Sequence, residues 1–172
     1  MWRVSELFEL QKVEDIKDLV SITKSNSGIS GPVLAETHMK LGRLLSKHIP
    51  LNPDETTVVA IMRGGLFLAE GIYLESGCKF ETYNPKTQEF IRPKTKHVII
   101  VDSVINTGDT IKKIVDEDMS VACCVINEKA VEQFSKKLYV VRVSANSFIG
   151  ANVSRQDKGV GPDTTMRLFN QL

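Results

Sequence analysis

At 172 residues, with 42% hydrophobic and 25% charged residues, the chain has the length and composition of one globular domain. Its 22 basic and 21 acidic residues give a formal net charge of +1, which disfavours a surface built to hold nucleic acid or an anionic membrane. The N-terminus carries acids where a signal peptide needs an apolar core, and no run approaches the ~20 apolar residues of a membrane span. We therefore expect a cytoplasmic protein.

The first 50 residues predict two helices. Apolar residues recur at helical spacing over Val13–Ile22 and again over Val33–Ile49, and the Ser- and Gly-rich segment Thr23–Pro32 separates them. From residue 56 to residue 143, β-branched apolar runs such as TTVVAIM, HVIIVDSV and SVACCVI alternate with helical stretches. Such runs are typical of strands covered by helices on both faces. The pattern predicts a Rossmann-like α/β fold with a parallel sheet.

Two segments depart from this alternation. Residues 80–96 alternate apolar and polar side chains around the turn signal NPK, which predicts a β-hairpin inserted into the core. Residues 144–172 are polar and rich in glycine but end in the apolar Leu168 and Phe169, so we expect a tail that folds back onto the domain. The predicted organisation is one domain: N-terminal helices (1–50), an α/β core (56–143) containing the hairpin (80–96), and the tail (144–172).

The segment Val98–Thr110, VIIVDSVINTGDT, carries the strongest functional signal. An apolar strand leads to Asp102, and a loop of small and hydroxyl residues then reaches Gly108, which permits positive φ. The predicted helix start at Thr110 supplies unpaired N–H groups that bind phosphate. Asp102 could accept from ribose hydroxyls or hold a metal through water. The alternative is that these residues only cap the loop and the helix.

A second loop, Arg63-Gly64-Gly65-Leu66, follows the strand TTVVAIM. Its glycines let the backbone approach a ligand closely, and Arg63 could meet a diphosphate. The alternative is a tight strand-to-helix turn with an exposed arginine. The three histidines and three cysteines have no metal-ligand spacing, so we expect structural or solvated roles for them; they are His38, His48, His97, Cys78, Cys123 and Cys124.

These segments resemble those of type I phosphoribosyltransferases. VIIVDSVINTGDT is similar to their phosphoribosyl-diphosphate motif, and Ser103 replaces its second acid, as in the uracil phosphoribosyltransferase branch. The Arg63 loop resembles the diphosphate loop of that branch. The tail Lys158–Asn170, KGVGPDTTMRLFN, resembles its C-terminal uracil-binding segment, with one extra residue and with Met166 in place of an acid.

The resemblance implies transfer of phosphoribose from phosphoribosyl diphosphate to a nucleobase, preferably uracil to give UMP. It implies catalytic roles for Arg63, Asp102 and Asp163, and base contacts at Val160, Gly161 and Asp163. Mg²⁺ would be bound by diphosphate and water rather than directly by protein. The expected phosphoribosyl-diphosphate contacts are Arg63, Gly64, Gly65, Asp102, Ser103, Asn106, Thr107, Gly108, Asp109 and Thr110.

The resemblance also implies a homodimer or a higher homo-oligomer, and it places the predicted hairpin where the family has a flexible hood. Tyr83 and Lys86 could then reach the active site. Three alternatives stay open: a phosphoribosyltransferase for another base, a regulatory protein that senses phosphoribosyl diphosphate without turnover, and a phosphate-binding α/β domain of another family.

Overall fold

The computed structural model describes residues 6–134, 137–151, 153, 156–157 and 160–172. Six α-helices accompany eight strands in these residues. The strands are β1 (Glu6–Glu9), β2 (Thr56–Ile61), β3 (Lys79–Tyr83), β4 (His97–Ile105), β5 (Ser120–Asn127), β6 (Lys137–Ser144), β7 (Ile149–Ala151) and β8 (Val160–Pro162). The helices are α1 (Lys17–Thr23), α2 (Pro32–Ser46), α3 (Leu66–Ser76), α4 (Asp109–Lys112), α5 (Glu128–Gln133) and α6 (Thr164–Leu168).

The main sheet has six parallel strands in the order β1-β6-β5-β4-β2-β3. All six residues of β2 are buried, as expected of a strand with helices on both faces. The predicted parallel α/β core is therefore confirmed. The pairing of β1 with β6 was not predicted, because a strand of four residues leaves too short a pattern to recognise.

Helices cover both faces of the sheet. On one face, α1, α2 and α3 pack against Val58, Ile99 and their neighbours on the sheet. On the other face, α4 and α5 cover residues such as Val59 and Ile100. The two N-terminal helices are thus confirmed, although α1 begins at Lys17 because Leu10–Lys12 form a 3-10 turn.

The hairpin predicted over residues 80–96 is wrong. Lys79–Tyr83 pair in parallel with β2 as the edge strand of the main sheet, and residues 84–96 contain no strand. The turn signal itself is real, since the backbone N–H groups of Thr87 and Gln88 donate to the Asn84 carbonyl. An edge strand with one solvated face shows the same alternation as half a hairpin, which explains the error.

The tail forms a second, two-stranded sheet from β7 and β8, followed by α6. Leu168 and Arg167 of α6 are buried, so the tail packs into the molecule more deeply than its polar composition predicts. Lys158 and Gly159 of the family-like segment lie outside the described residues. No helix in the described part of the chain combines the length and apolar character needed to span a membrane.

Candidate active site

A cavity of about 560 Å³ lies beyond the carboxyl ends of β2, β4 and β6. The chain leaves β2 toward the β3 edge and leaves β4 toward β5, so the direction of winding reverses between β2 and β4. Ligands of open α/β sheets bind at such switch points. The wall is formed by Lys24, Ser25, Asn26, Gly64, Asp102, Ser103, Val104, Arg142, Ser144, Asn146, Ser147, Phe148, Gly150, Gln156, Gly161, Pro162, Asp163, Thr164 and Thr165.

Strand β4 extends beyond the end of its pairing with β2, and its last residues line the cavity. Its pairing with β2 ends at Val101, whereas its pairing with β5 continues to Ile105. The sequence predicted that this strand ends at Asp102, whereas in the structure it ends three residues later, at Ile105. Asp102, Ser103 and Val104 therefore line the cavity from a rigid strand.

Asp102 lies half-buried on the cavity wall, and its Oδ1 accepts a hydrogen bond of 2.7 Å from the Ser103 N–H. Burial raises the pKa of this carboxyl to about 7, although the N–H bond acts in the opposite direction. Asp102 therefore exchanges a proton near neutral pH. Such a carboxyl can either accept from or donate to a sugar hydroxyl.

Ser103 is connected to a buried histidine that sequence reasoning treated as structural. His38 Nδ1 lies 3.1 Å from the Leu34 carbonyl and its Nε2 lies 2.8 Å from Ser103 Oγ. Burial lowers the pKa of His38 to about 4, so the ring is neutral at pH 7. Because a carbonyl only accepts, Nδ1 carries the hydrogen and Ser103 donates to Nε2. The two residues are 65 positions apart, and no local signal in the sequence joins them.

The two glycines after β2 have different surroundings. A Cβ at Gly65 would lie 2.2 Å from the Val101 carbonyl, so this glycine lets the turn pack on β4 and does not line the cavity. A Cβ at Gly64 would face the cavity, 3.2 Å from Asp102 Oδ1 and 3.0 Å from Thr165 Oγ1. Arg63 is exposed and its guanidinium lies 4.8 Å from the centre of the Phe169 ring, outside the cavity wall.

The predicted phosphate loop lies next to the cavity but not in its wall. Gly108 has the predicted positive φ, 79°, and the Asp109 N–H donates to Thr107 Oγ1. The Asn106 amide forms two hydrogen bonds with the backbone of Phe148, at 3.2 and 3.3 Å. Phe148 does line the cavity, so Asn106 connects the loop to the cavity wall. The fifth expected contact of the loop, Thr110, is exposed.

The tail contributes two of its three predicted base contacts to the cavity wall. Gly161 and Asp163 line it, and Asp163 Oδ2 accepts from the Met166 N–H at the start of α6. Val160 does not line it, and both of its backbone groups are hydrogen-bonded to Asp157. Tyr83 and Lys86, which the hairpin was to bring to the site, also lie outside the wall.

Arg167 holds in place the loop that supplies Lys24, Ser25 and Asn26 to the cavity wall. This side chain is only 2% exposed, and its guanidinium donates to four carbonyls and one hydroxyl at the end of α1 and in the loop that follows it. The acceptors are Ile22, Thr23, Lys24, Ser27 and Ile29. The loop carries Lys24, Ser25 and Asn26 into the cavity. The sequence indicated Arg167 only through family resemblance and gave no sign of this contact set.

The chemistry of the wall fits Mg²⁺ carried by a phosphate-bearing ligand. Asp102 and Asp163 present carboxylate oxygens to the same cavity, and oxygen is the ligand that Mg²⁺ prefers. Among the described residues, no three His, Cys, Asp or Glu side chains cluster as ligands of a metal. The remaining Mg²⁺ ligands would come from the substrate and water.

No family model matches the sequence, and no curated protein is similar to it. The structure is similar to that of the AQ2163 protein from Aquifex aeolicus, with a TM-score of 0.65 and 20% identity over 95% of this chain and 96% of that chain. This likeness establishes a shared fold. The protein TT1426 from Thermus thermophilus has a TM-score of 0.48 and 15% identity over 78% and 97% of the two chains. The xanthine-guanine-hypoxanthine phosphoribosyltransferase of Helicobacter pylori has a TM-score of 0.47 and 16% identity over 67% and 87%.

Proposed function

We propose that the protein is a phosphoribosyltransferase, which transfers phosphoribose from phosphoribosyl diphosphate to a ring nitrogen of a nucleobase, preferably uracil. The observation that carries the proposal is the cavity at the switch point, where Gly64, Asp102 and Asp163 meet. A glycine turn gives a diphosphate room to approach the backbone, and the two carboxylates beside it suit the metal that accompanies the diphosphate and the hydroxyls of the ribose. The resemblance of three sequence segments to the family supports the same reaction.

In this mechanism the bond between C1 of the ribose and the diphosphate breaks, and the diphosphate leaves with the bonding electrons. The base nitrogen forms its bond to C1 and loses its proton, which the departing diphosphate can accept. The sugar gains oxocarbenium character, so the protein needs to hold the reactants in line and to balance charge on diphosphate. Bound Mg²⁺ would supply most of that charge, near Asp102 and Asp163. Asp102 orients the ribose hydroxyls, and no covalent nucleophile is required.

Several residues take assigned places in the proposal. Arg63 approaches the outgoing diphosphate from its exposed position, and Gly64 gives the diphosphate room. The loop from Asn106 to Thr110 receives the 5-phosphate, which requires the neighbouring Phe148 segment to yield to the ligand. Gly161 and Asp163 face the base. The protein is expected to work as a homodimer or a higher homo-oligomer.

A second candidate function is a phosphoribosyl-diphosphate sensor without turnover. Ser103 stands where the usual motif has its second acid, and its hydrogen is already donated to His38. Only one carboxylate of that motif therefore faces the ribose. A protein that binds the ligand but no longer transfers it would have these features.

The test combines calorimetry with an assay of turnover. Isothermal titration of phosphoribosyl diphosphate with Mg²⁺ should show binding, which Asp102→Asn should weaken by about tenfold or more, the loss of one charge-assisted hydrogen bond. Asp54→Asn is the matched control, since Asp54 is exposed and precedes β2 at the opposite edge of the sheet. Diphosphate release with uracil, other pyrimidines and purines identifies the base. Binding without release on any base favours the sensor, and absence of binding refutes both candidates.

A further inference from the structure

The cavity extends to a third strand whose side chains the proposed reaction does not use. In the register of the sheet, Val104 of β4 pairs with Val125 of β5, and Val125 pairs with Arg142 of β6. Two strand spacings therefore separate Val104 from Arg142, about 10 Å. Arg142 lies on the side of β4 away from Gly64, and Ser144 follows it along the same wall. We call this region the β6 end of the cavity.

Arg142 has no counter-charge among the residues that the structure describes. Its Nε is buried without a hydrogen-bond partner among the described residues, and in that part of the chain no acidic side chain forms an ion pair with it. The titratable group beside it in the interior is Cys124, whose pKa burial raises to about 11, so that the thiol is neutral. A partly buried cation in this state is costly unless something else neutralises it.

The cavity wall also holds other groups that are suited to bind an anion. Lys24 lines the cavity from the loop held by Arg167, and it adds a second positive charge. Hydroxyl and amide groups line the same cavity, from Ser25, Asn26, Ser144, Asn146 and Ser147. Guanidinium groups bind the paired oxygens of phosphate and carboxylate in two parallel hydrogen bonds.

We propose that the β6 end of the cavity is a subsite for an oxyanion, a phosphate or carboxylate group on a substrate, bound by Arg142 and Lys24. This inference rests on the proposed function, because the cavity is the same. The oxyanion is either the 5-phosphate of the donor, which would then bind here and not at the loop from Asn106 to Thr110, or an acidic group on the acceptor base. In the second case the preferred base is a carboxylated pyrimidine instead of neutral uracil.

Calorimetry on Arg142→Gln tests the subsite with three probes: ribose 5-phosphate, the carboxylated pyrimidine orotate, and uracil. We expect at least a tenfold loss of affinity for one of the two anionic probes and no change for uracil. A loss confined to ribose 5-phosphate assigns the oxyanion to the donor, and a loss confined to orotate assigns it to the acceptor. Arg142→Lys should recover part of the affinity, because it restores the charge without the fork of donors.

Two further variants separate the subsite from general effects of charge or folding. Lys24→Gln should weaken the same probe, and this exposed position carries little risk to the fold. Lys40→Gln removes an exposed charge from α2 outside the cavity and should leave every affinity unchanged. Anionic probes that bind Arg142→Gln and Lys24→Gln as tightly as the wild type, or do not bind the wild type at all, overturn the subsite. Failure of the wild type to bind phosphoribosyl diphosphate with Mg²⁺ instead refutes the proposed function.

Discussion

Arg167 and Arg142 are both drawn into the interior around one cavity, yet their surroundings differ. Burial lowers the pKa of both guanidinium groups. Arg167 donates to five acceptors at the end of α1 and in the loop that follows it, whereas the Nε of Arg142 has no partner among the described residues. A buried cation with all its donors bonded to neutral carbonyls supports the structure. An arginine in a cavity wall whose charge no described residue neutralises indicates an anionic ligand.

Replacing each arginine by methionine gives the largest expected contrast. Arg167→Met leaves four carbonyls without their donor, and removal of such a hub should lower the free energy of unfolding by about 3–5 kcal/mol. Arg142→Met removes an unsatisfied donor and should change it by less than about 1 kcal/mol, or raise it. Urea unfolding followed by circular dichroism measures both. Equal losses would mean that Arg142 also has a structural role.

Asp102 and His38 provide a second contrast, because their effects on the free energy of unfolding depend on pH in opposite directions. Burial raises the pKa of Asp102 from 3.8 to about 7, so its contribution to stability is complete below about pH 4 and is lost as the pH rises toward 7. Burial lowers the pKa of His38 from 6.5 to about 4, so its contribution is complete above about pH 6.5 and is lost as the pH falls. Between these limits the two effects oppose each other.

Single variants should therefore separate the two slopes. Asp102→Asn should lose stability as the pH falls from about 6.5 to about 4.5, by up to about 1.4 kcal/mol per pH unit. His38→Gln should gain stability over the same range, and the wild type should change little. Urea unfolding at several pH values measures the slopes. If both variants slope in the same direction, the assignment of these protonation states is wrong.

The sequence predicted the core well because the core is made of local patterns. Strands such as β2 and β5 are mostly apolar and almost completely buried, and the loop glycine Gly108 has the positive φ that was predicted. The features that the sequence did not reveal are contacts between segments that lie far apart in the chain. His38 meets Ser103 across 65 positions, and Arg167 meets the loop at Ile29 across 138. A local pattern of apolar and polar residues cannot predict contacts between segments so far apart in the sequence.

The sequence predicted several segments that meet at the cavity, but it did not predict all of the side chains in its wall. Asp102, Gly64, Gly161 and Asp163 line the same cavity, and each follows or ends an element recognisable in the sequence. Their functional roles stay predictions. Arg142 was missed since it lies inside an apolar run, LYVVRV, that reads only as a strand. A charged residue near the carboxyl end of a parallel strand is the signal that could have found it.

Gly65 and Gly64 show the same contrast as the two arginines: Gly65 supports the fold, whereas Gly64 lines the cavity. A methyl group at Gly65 would meet the Val101 carbonyl, so Gly65→Ala should destabilise the fold by about 1–3 kcal/mol. A methyl group at Gly64 would meet Thr165 Oγ1 at 3.0 Å, an atom of a side chain that can rotate. Gly64→Ala should therefore cost less than about 1 kcal/mol but weaken binding of phosphoribosyl diphosphate. Thermal unfolding and calorimetry on both variants test this, and a reversed order of stabilities would refute it.

The smallest expected effect concerns Asn106, which joins the predicted phosphate loop to the segment of the cavity wall that contains Phe148. Asn106→Ala removes two hydrogen bonds to the Phe148 backbone, each contributing about 0.5–1.5 kcal/mol, so the segment should open more often. Hydrogen exchange at the Phe148 amide should then accelerate by about tenfold, while Asn52→Ala, in an exposed turn before β2, leaves it unchanged. If the segment limits access to the loop, the Asn106 variant should also bind ribose 5-phosphate with a higher on-rate. Faster exchange with an unaltered on-rate would mean that the ligand reaches its phosphate site without passing this segment, which would favour the β6 end as the place where the phosphate binds.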